Sequence, residues 1–146
     1  MKPEETVDYF LKVVWQNVAN TYNQIASGFG ITQALGYALI NIQEEGTAVT
    51  QMANLLGVKS TSLSRMLNNM EELGLIYRKV DETDKRSVKI YLTDFGREKK
   101  HLAKEVVRNF NEYLNTHLAQ TERQQLIAAL QKINELTLAY KPISVV

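Results

Sequence analysis

The 146-residue chain has no cysteine and only two prolines. Without a thiol there can be no disulfide, no thiolate metal site and no cysteine redox switch, and the lack fits a reducing compartment. With so few prolines and long periodic stretches between the glycines, the chain reads as mostly helical. No apolar run is long enough to cross a bilayer. The opening MKPEETVDYF carries acids and no apolar stretch of the signal-peptide kind, so the reading is cytoplasmic, with no membrane partner. The two histidines, His101 and His117, stand sixteen residues apart, not at the i,i+4 spacing of a helical pair, so no metal site is expected. The chain also lacks a nucleophile–base pair, a carboxylate pair at a recognisable spacing and a glycine-rich phosphate loop. It therefore reads as a non-enzyme without a cofactor.

What is present is an ordinary globular composition, 45% hydrophobic and 23% charged, in a chain long enough to bury a core. The net charge of +1 is unevenly spread: residues 1–56 are net acidic, whereas residues 57–100 hold ten basic and seven acidic side chains. Such a local excess is by itself a weak pointer to nucleic acid.

Punctuation by glycine and by Thr/Ser caps divides the chain. Pro3 opens a helix predicted to run to Ser27, with Val7, Leu11, Val14, Val18, Tyr22 and Ile25 at helical spacing. Thr32 is the expected N-cap of a second helix reaching Glu45 and stopped by Gly46. Thr50 can cap a short helix, Gln51 to Leu56, which Gly57 closes. Ser60 can cap another, Thr61 to Leu73, which Gly74 closes. Two short helices across so tight a turn form a helix-turn-helix candidate. The stretch from Leu75 to Val80 is β-rich, and Val88, Ile90 and Leu92 alternate onto one face. The polar loop Asp81–Ser87 makes these a hairpin with a projecting tip. Thr93 can cap a long helix from Asp94 with a stripe of Leu102, Val106, Phe110, Leu114 and Leu118. The run Thr121-Glu122-Arg123-Gln124 has the form of a capping box opening the last helix.

The expected fold class is mainly α with a small β-wing: a winged helix-turn-helix at residues 32–98, flanked by an N-terminal dimerisation helix at 1–31 and C-terminal dimerisation helices at 99–146, in one intertwined domain. In the helix after the turn, Leu63, Met66, Leu67 and Met70 can pack inward. Ser60, Thr61, Ser62, Ser64, Arg65, Asn68 and Asn69 then face outward, small hydroxyls and amides suited to a groove. Lys85 and Arg86 sit at the loop tip, where a narrow minor groove attracts an inserted cation. Asp84 has two readings, orienting a guanidinium or closing the turn. Trp15, Tyr22 and Tyr37 on the first two helices are candidates for a pocket taking an aromatic or amphipathic effector.

Asp84-Lys85-Arg86, then Leu92-Thr93 and Gly96, match without gaps the wing signature of the MarR family, bacterial regulators named for multiple antibiotic resistance. The stretch from Ser60 to Arg78 is similar to that family's recognition helix and first wing strand. The resemblance extends over nearly the whole chain. It implies a two-fold homodimer reading a palindromic double-stranded DNA site, with Arg86 as the minor-groove residue and a small ligand as effector. The alternative is a winged helix that binds protein and no DNA.

Overall fold

The computed structural model describes residues 1–144. The chain divides into two compact units, Met1–Val106 and Val107–Val146. In the first, a 3-10 turn at Pro3–Glu5 precedes helix α1 (Val7–Ser27). The helix expected from Pro3 is interrupted at Thr6, whose backbone is extended (φ −103°, ψ 148°) and whose hydroxyl donates to Pro3 O at 2.7 Å.

Thr32 caps helix α2 (Gln33–Ile40), its Oγ1 accepting from Leu35 N at 3.2 Å. The helix ends five residues short of the expected Glu45. The cause lies downstream. Thr47 is buried, and its hydroxyl accepts from Gln43 N at 2.8 Å, taking a donor that the helix would have kept. Ile42 drops into the core as the chain turns. Thr47→Val keeps the shape and strands the Gln43 N–H. A loss of about 1–2 kcal/mol is expected, read as a lower urea midpoint at unchanged slope.

Strand β1 (Thr47–Ala48), two residues long and not anticipated from the pattern, leads into helix α3 (Val49–Leu56). Helix α4 (Ser60–Glu72) follows after Gly57, which takes the left-handed conformation at φ 63° that closes α3. The caps differ from the sequence reading. Ala48 and Lys59 are the N-caps, without side-chain bonds, so Thr50 and Ser60 lie inside the first turns of their helices. Strands β2 (Ile76–Val80) and β3 (Val88–Leu92) pair antiparallel with Ile76 opposite Leu92 and Val80 opposite Val88, and β1 adds to the far side of β3.

The core of this unit gathers Leu35, Ala38 and Leu39 from α2, Ile42 from the turn after it, Met52 from α3, Leu63, Leu67 and Met70 from α4, Leu75 just before β2, and Ile76, Ile90 and Leu92 from the sheet. Burying such side chains contributes about 1.5–3 kcal/mol each, which is what holds α4 at a fixed angle to the hairpin. Helix α5 (Asp94–His117) starts from Thr93, whose Oγ1 donates to Gly74 O and accepts from Gly96 N at 3.0 Å.

In the second unit, helix α6 (Gln120–Ala139) has Ala119 and not Thr121 as its N-cap, with Glu122 accepting from Ala119 N at 3.0 Å, so Thr121 lies inside the first turn. None of its residues is buried, and Leu126, Ile127, Leu130, Leu136 and Leu138 are bare. Helix α1 is equally bare at Val7, Phe10, Leu11 and Val14.

Candidate nucleic-acid interface

Helix α4 divides cleanly into two faces. Leu63, Leu67 and Met70 are buried, and Met66 is half-buried. Ser60, Thr61, Ser62, Ser64, Arg65, Asn68 and Asn69 are all exposed. Thr61, Ser64, Arg65 and Asn68 follow the i, i+3, i+4, i+7 row of one helix surface, with Ser62 and Asn69 alongside. The outward set expected from periodicity is thus one continuous polar surface.

The hairpin carries the other candidates. Asp81 N donates to Ser87 O at 2.9 Å, continuing the ladder past Val80 and Val88. Ser87 N donates to Asp84 O at 2.9 Å, so Asp84–Ser87 is a tight turn with Lys85 and Arg86 as its two central residues. Asp84 Oδ1 accepts from Arg86 N at 3.1 Å. Of the two readings of Asp84, the structure places it in the turn; its carboxylate holds the backbone of Arg86 and leaves the guanidinium free to project.

The balance of charge between residues 57 and 100 resolves into paired and unpaired groups. Arg78 meets Glu71 at 2.7 Å, Lys79 meets Glu82 at 3.7 Å and Lys89 meets Asp81 at 3.6 Å. Arg97 pairs with Glu44 and Asp94. Lys99 Nζ donates to Phe29 O at 2.8 Å, and Lys100 Nζ donates to Ile42 O, with burial pushing the Lys100 ammonium below the usual lysine range. Among the described residues, the basic side chains of this stretch without an ion pair or hydrogen bond are Lys59, Arg65, Lys85 and Arg86. All four stand on the turn before α4, on its outward face, or at the hairpin tip. The wing acids are themselves engaged: Glu82 pairs with Lys79, and Asp84 accepts from the Arg86 backbone. Asp81 holds Thr83 and Lys89, and the backbone hydrogen bond from Thr83 draws its carboxyl below the usual carboxylate range.

Sequence reasoning alone did not reveal Arg78 and Glu71 as partners of the outward face of α4. Arg78 Nη2 donates to Asn68 Oδ1 at 2.5 Å, tying β2 to the outward row of α4. No sequence signal short of the fold pairs residues ten apart on a helix and a strand.

A cleft of about 450 Å³ lies behind α4, lined by Trp15, Gln33, Ala34, Tyr37, Leu56, Val58 and Met66. Two of the three aromatic candidates, Trp15 and Tyr37, meet there. Tyr22, two turns along α1, is not among its walls; burial raises its phenol above the usual tyrosine range. His101 and His117 are exposed, and His117 packs edge-on against Tyr113 at 4.7 Å.

Comparison with known proteins converges on one family. A family model described as "MarR family" matches residues 29–87. An organic hydroperoxide resistance transcriptional regulator from Bacillus subtilis (strain 168) is 35% identical over 97 residues, and the chain spans 66% of that relative's length, matched by 66% of its own. Among solved structures, the S. aureus MepR–DNA complex superposes with a TM-score of 0.82 at 26% identity, covering 89% of this chain and 97% of that one. The transcriptional repressor CouR bound to a 23-mer DNA duplex gives 0.79 at 27% identity, covering 90% and 94%.

Proposed function

Since the chain belongs to the MarR family, we propose that it is a sequence-specific DNA-binding regulator of transcription. It acts in the cytoplasm as a homodimer on a palindromic operator, and represses by obstructing polymerase. The observation that carries this reading is the segregation of charge. Of the ten cations between residues 57 and 100, the fold holds four in ion pairs and two on backbone carbonyls, and leaves Lys59, Arg65, Lys85 and Arg86 bare on one helix, its preceding turn and the wing tip. Helix α4 offers hydroxyls, amides and Arg65 to a major groove. The turn Asp84–Ser87 presents Arg86 to the adjacent minor groove, where its charge is favoured by the local potential. MepR and CouR, each solved on DNA, support the same use of this fold.

The bare apolar faces of α1 and α6 support the dimer. A monomer exposing Val7, Phe10, Leu11, Val14, Leu126, Leu130 and Leu136 would leave a large greasy surface in water, and a two-fold bundle covers it. Residues 1–31 and 99–146 then serve dimerisation and residues 32–98 serve reading. Two copies read two half-sites about one helical turn apart.

The test is selection of bound fragments from random duplex DNA at two salt concentrations. An enriched palindrome whose binding falls steeply with salt is the expected result. If no sequence is enriched and nothing binds at low salt, the winged helix is a protein-binding module instead.

The cleft behind α4 supports an effector. A flat amphipathic molecule between Trp15, Tyr37 and Met66 would push on the inner face of the recognition helix, and its preference for one helix position sets its coupling to DNA. Trp15 is the sole tryptophan, so its emission reports on the cleft. Titration with anilinonaphthalene sulfonate should quench Trp15 and weaken operator binding, and Ala34→Phe, which fills the cleft, should abolish both effects. Quenching that survives Ala34→Phe would place the probe elsewhere. The hydroperoxide response in the Bacillus relative's name does not transfer as thiol chemistry, because this chain has no thiol.

A further inference from the structure

Asn68 belongs to the outward row of α4 but is not free to turn. Arg78 Nη2 donates to its Oδ1 at 2.5 Å. The same guanidinium is anchored on Glu71 Oε2, by Nη2 at 2.7 Å and by Nε at 3.1 Å. Glu71 lies one turn beyond Asn68 on α4 and Arg78 on β2, so helix, strand and amide form one clamp. A guanidinium has donors only, so the amide atom that meets it must be the oxygen. Flipping the amide would set an N–H₂ against a cation and lose a charge-assisted bond. The amide nitrogen of Asn68 is therefore the end turned away.

This matters because an unrestrained asparagine reads adenine with both ends, accepting from N6 and donating to N7. Asn68 turns its acceptor towards Arg78: one lone pair of Oδ1 takes the guanidinium on β2, which leaves the N–H₂ as the end that reaches a base. We propose that Arg78 is a positioning residue that restricts Asn68 to donor-only reading, so that this position selects guanine, with thymine second, and does not select adenine. The N–H₂ has two donors and guanine offers N7 and O6 side by side. Thymine offers O4 alone, adenine sets a donor beside its N7, and cytosine presents the donor N4. Glu71 completes the arrangement: it holds Arg78 and is itself neutralised, so its charge does not repel nearby phosphates.

The inference rests on α4 reading DNA. It is tested by selecting duplexes from a randomised half-site with the full chain, comparing wild type, Asn68→Ala, Asn68→Asp and Arg78→Met. In the wild type, one position per half-site should favour guanine, and Asn68→Ala should flatten that preference by about threefold to tenfold, the worth of one hydrogen bond. Arg78→Met releases the amide and should move the same position toward adenine, leaving preferences elsewhere intact. Asn68→Asp turns an acceptor outward and should move it toward cytosine. A merely structural role for Arg78 would lower affinity for all sequences alike. The proposal is overturned if the position lost in Asn68→Ala is adenine in the wild type, if Asn68→Ala weakens every sequence equally, or if folded Arg78→Met keeps the wild-type base. Should Arg78→Met fail to fold, the two substitutions at exposed Asn68 decide, since guanine-to-cytosine exchange requires the orientation claimed. A wild type that enriches no sequence and binds no duplex at low salt is a separate outcome: it removes the DNA-reading assignment, and this proposal with it.

Discussion

Gly96→Ala is expected to cost about 4 kcal/mol or more, the range of a core disruption rather than a surface change. A Cβ on Gly96 would sit 1.9 Å from Leu75 O and 2.9 Å from its carbonyl carbon. Neither atom can yield cheaply. Leu75 is fully buried, and its carbonyl accepts from Thr93 N at 3.1 Å. The Thr93 hydroxyl bonds Gly74 O, so the start of α5 is knotted to the turn that launches β2. Relieving the clash means separating them, which loosens the hairpin and with it the wing. For a domain of this size the melting temperature should fall by more than about 10 °C. Gly57→Ala is the comparison. It has open space around the new methyl and a φ of 63°, so it suffers only the left-handed penalty of about 1–2 kcal/mol. Thermal or urea unfolding of both variants decides; equal melting of Gly96→Ala and wild type would show that Leu75 moves aside without consequence.

Arg86→Ala should weaken operator binding by about 30-fold to 100-fold, because the proposed dimer would lose two minor-groove cations at once. The plot of log K against log salt should flatten by about two, close to one counterion per copy. The loss should be similar for all duplexes, since a cation in a narrow groove reads shape rather than a base pattern. Arg65→Ala should behave differently. Arg65 stands on the outward row of α4, which we propose faces the base edges, so its loss should relax preference at one position per half-site. Titration of labelled operator and of scrambled duplex at several salt concentrations separates the two patterns. Unchanged affinity and slope for Arg86→Ala would remove the wing from the interface.

Much of this was legible before any coordinate. The strict alternation of Val88, Ile90 and Leu92 against a polar loop announced the hairpin, and the structure pairs it in register with Ile76–Val80. The i, i+3, i+4 spacing of Leu63, Met66, Leu67 and Met70 announced which side of α4 turns inward and which is left outward. Thr32 as a cap and Gly57 as a stop act through bonds three residues away or through one backbone angle, so local reasoning reached them. It failed where the deciding partner was not local. The end of α2 depends on a hydroxyl at Thr47 that takes the Gln43 N–H, and β1 exists only because β3 lies beside it. Thr50 and Ser60 have the chemistry of caps but not the position, since α3 already starts at Val49 and α4 at Ser60 itself.

The sequence by itself therefore determined the type and order of the elements, the inward and outward faces of α4, and the cations available at its N-terminal half and at the wing. These follow from periodicity and from bonds within a turn, which a single stretch of chain contains whole. Only the tertiary structure decided which charges remain unpaired, because Arg97 finds Glu44 across 53 residues and Lys100 finds Ile42 O across 58. It also decided that Gly96 must stay bare against Leu75, and that Asn68 Oδ1 is held by Arg78, because both depend on atoms brought together by packing and not by sequence.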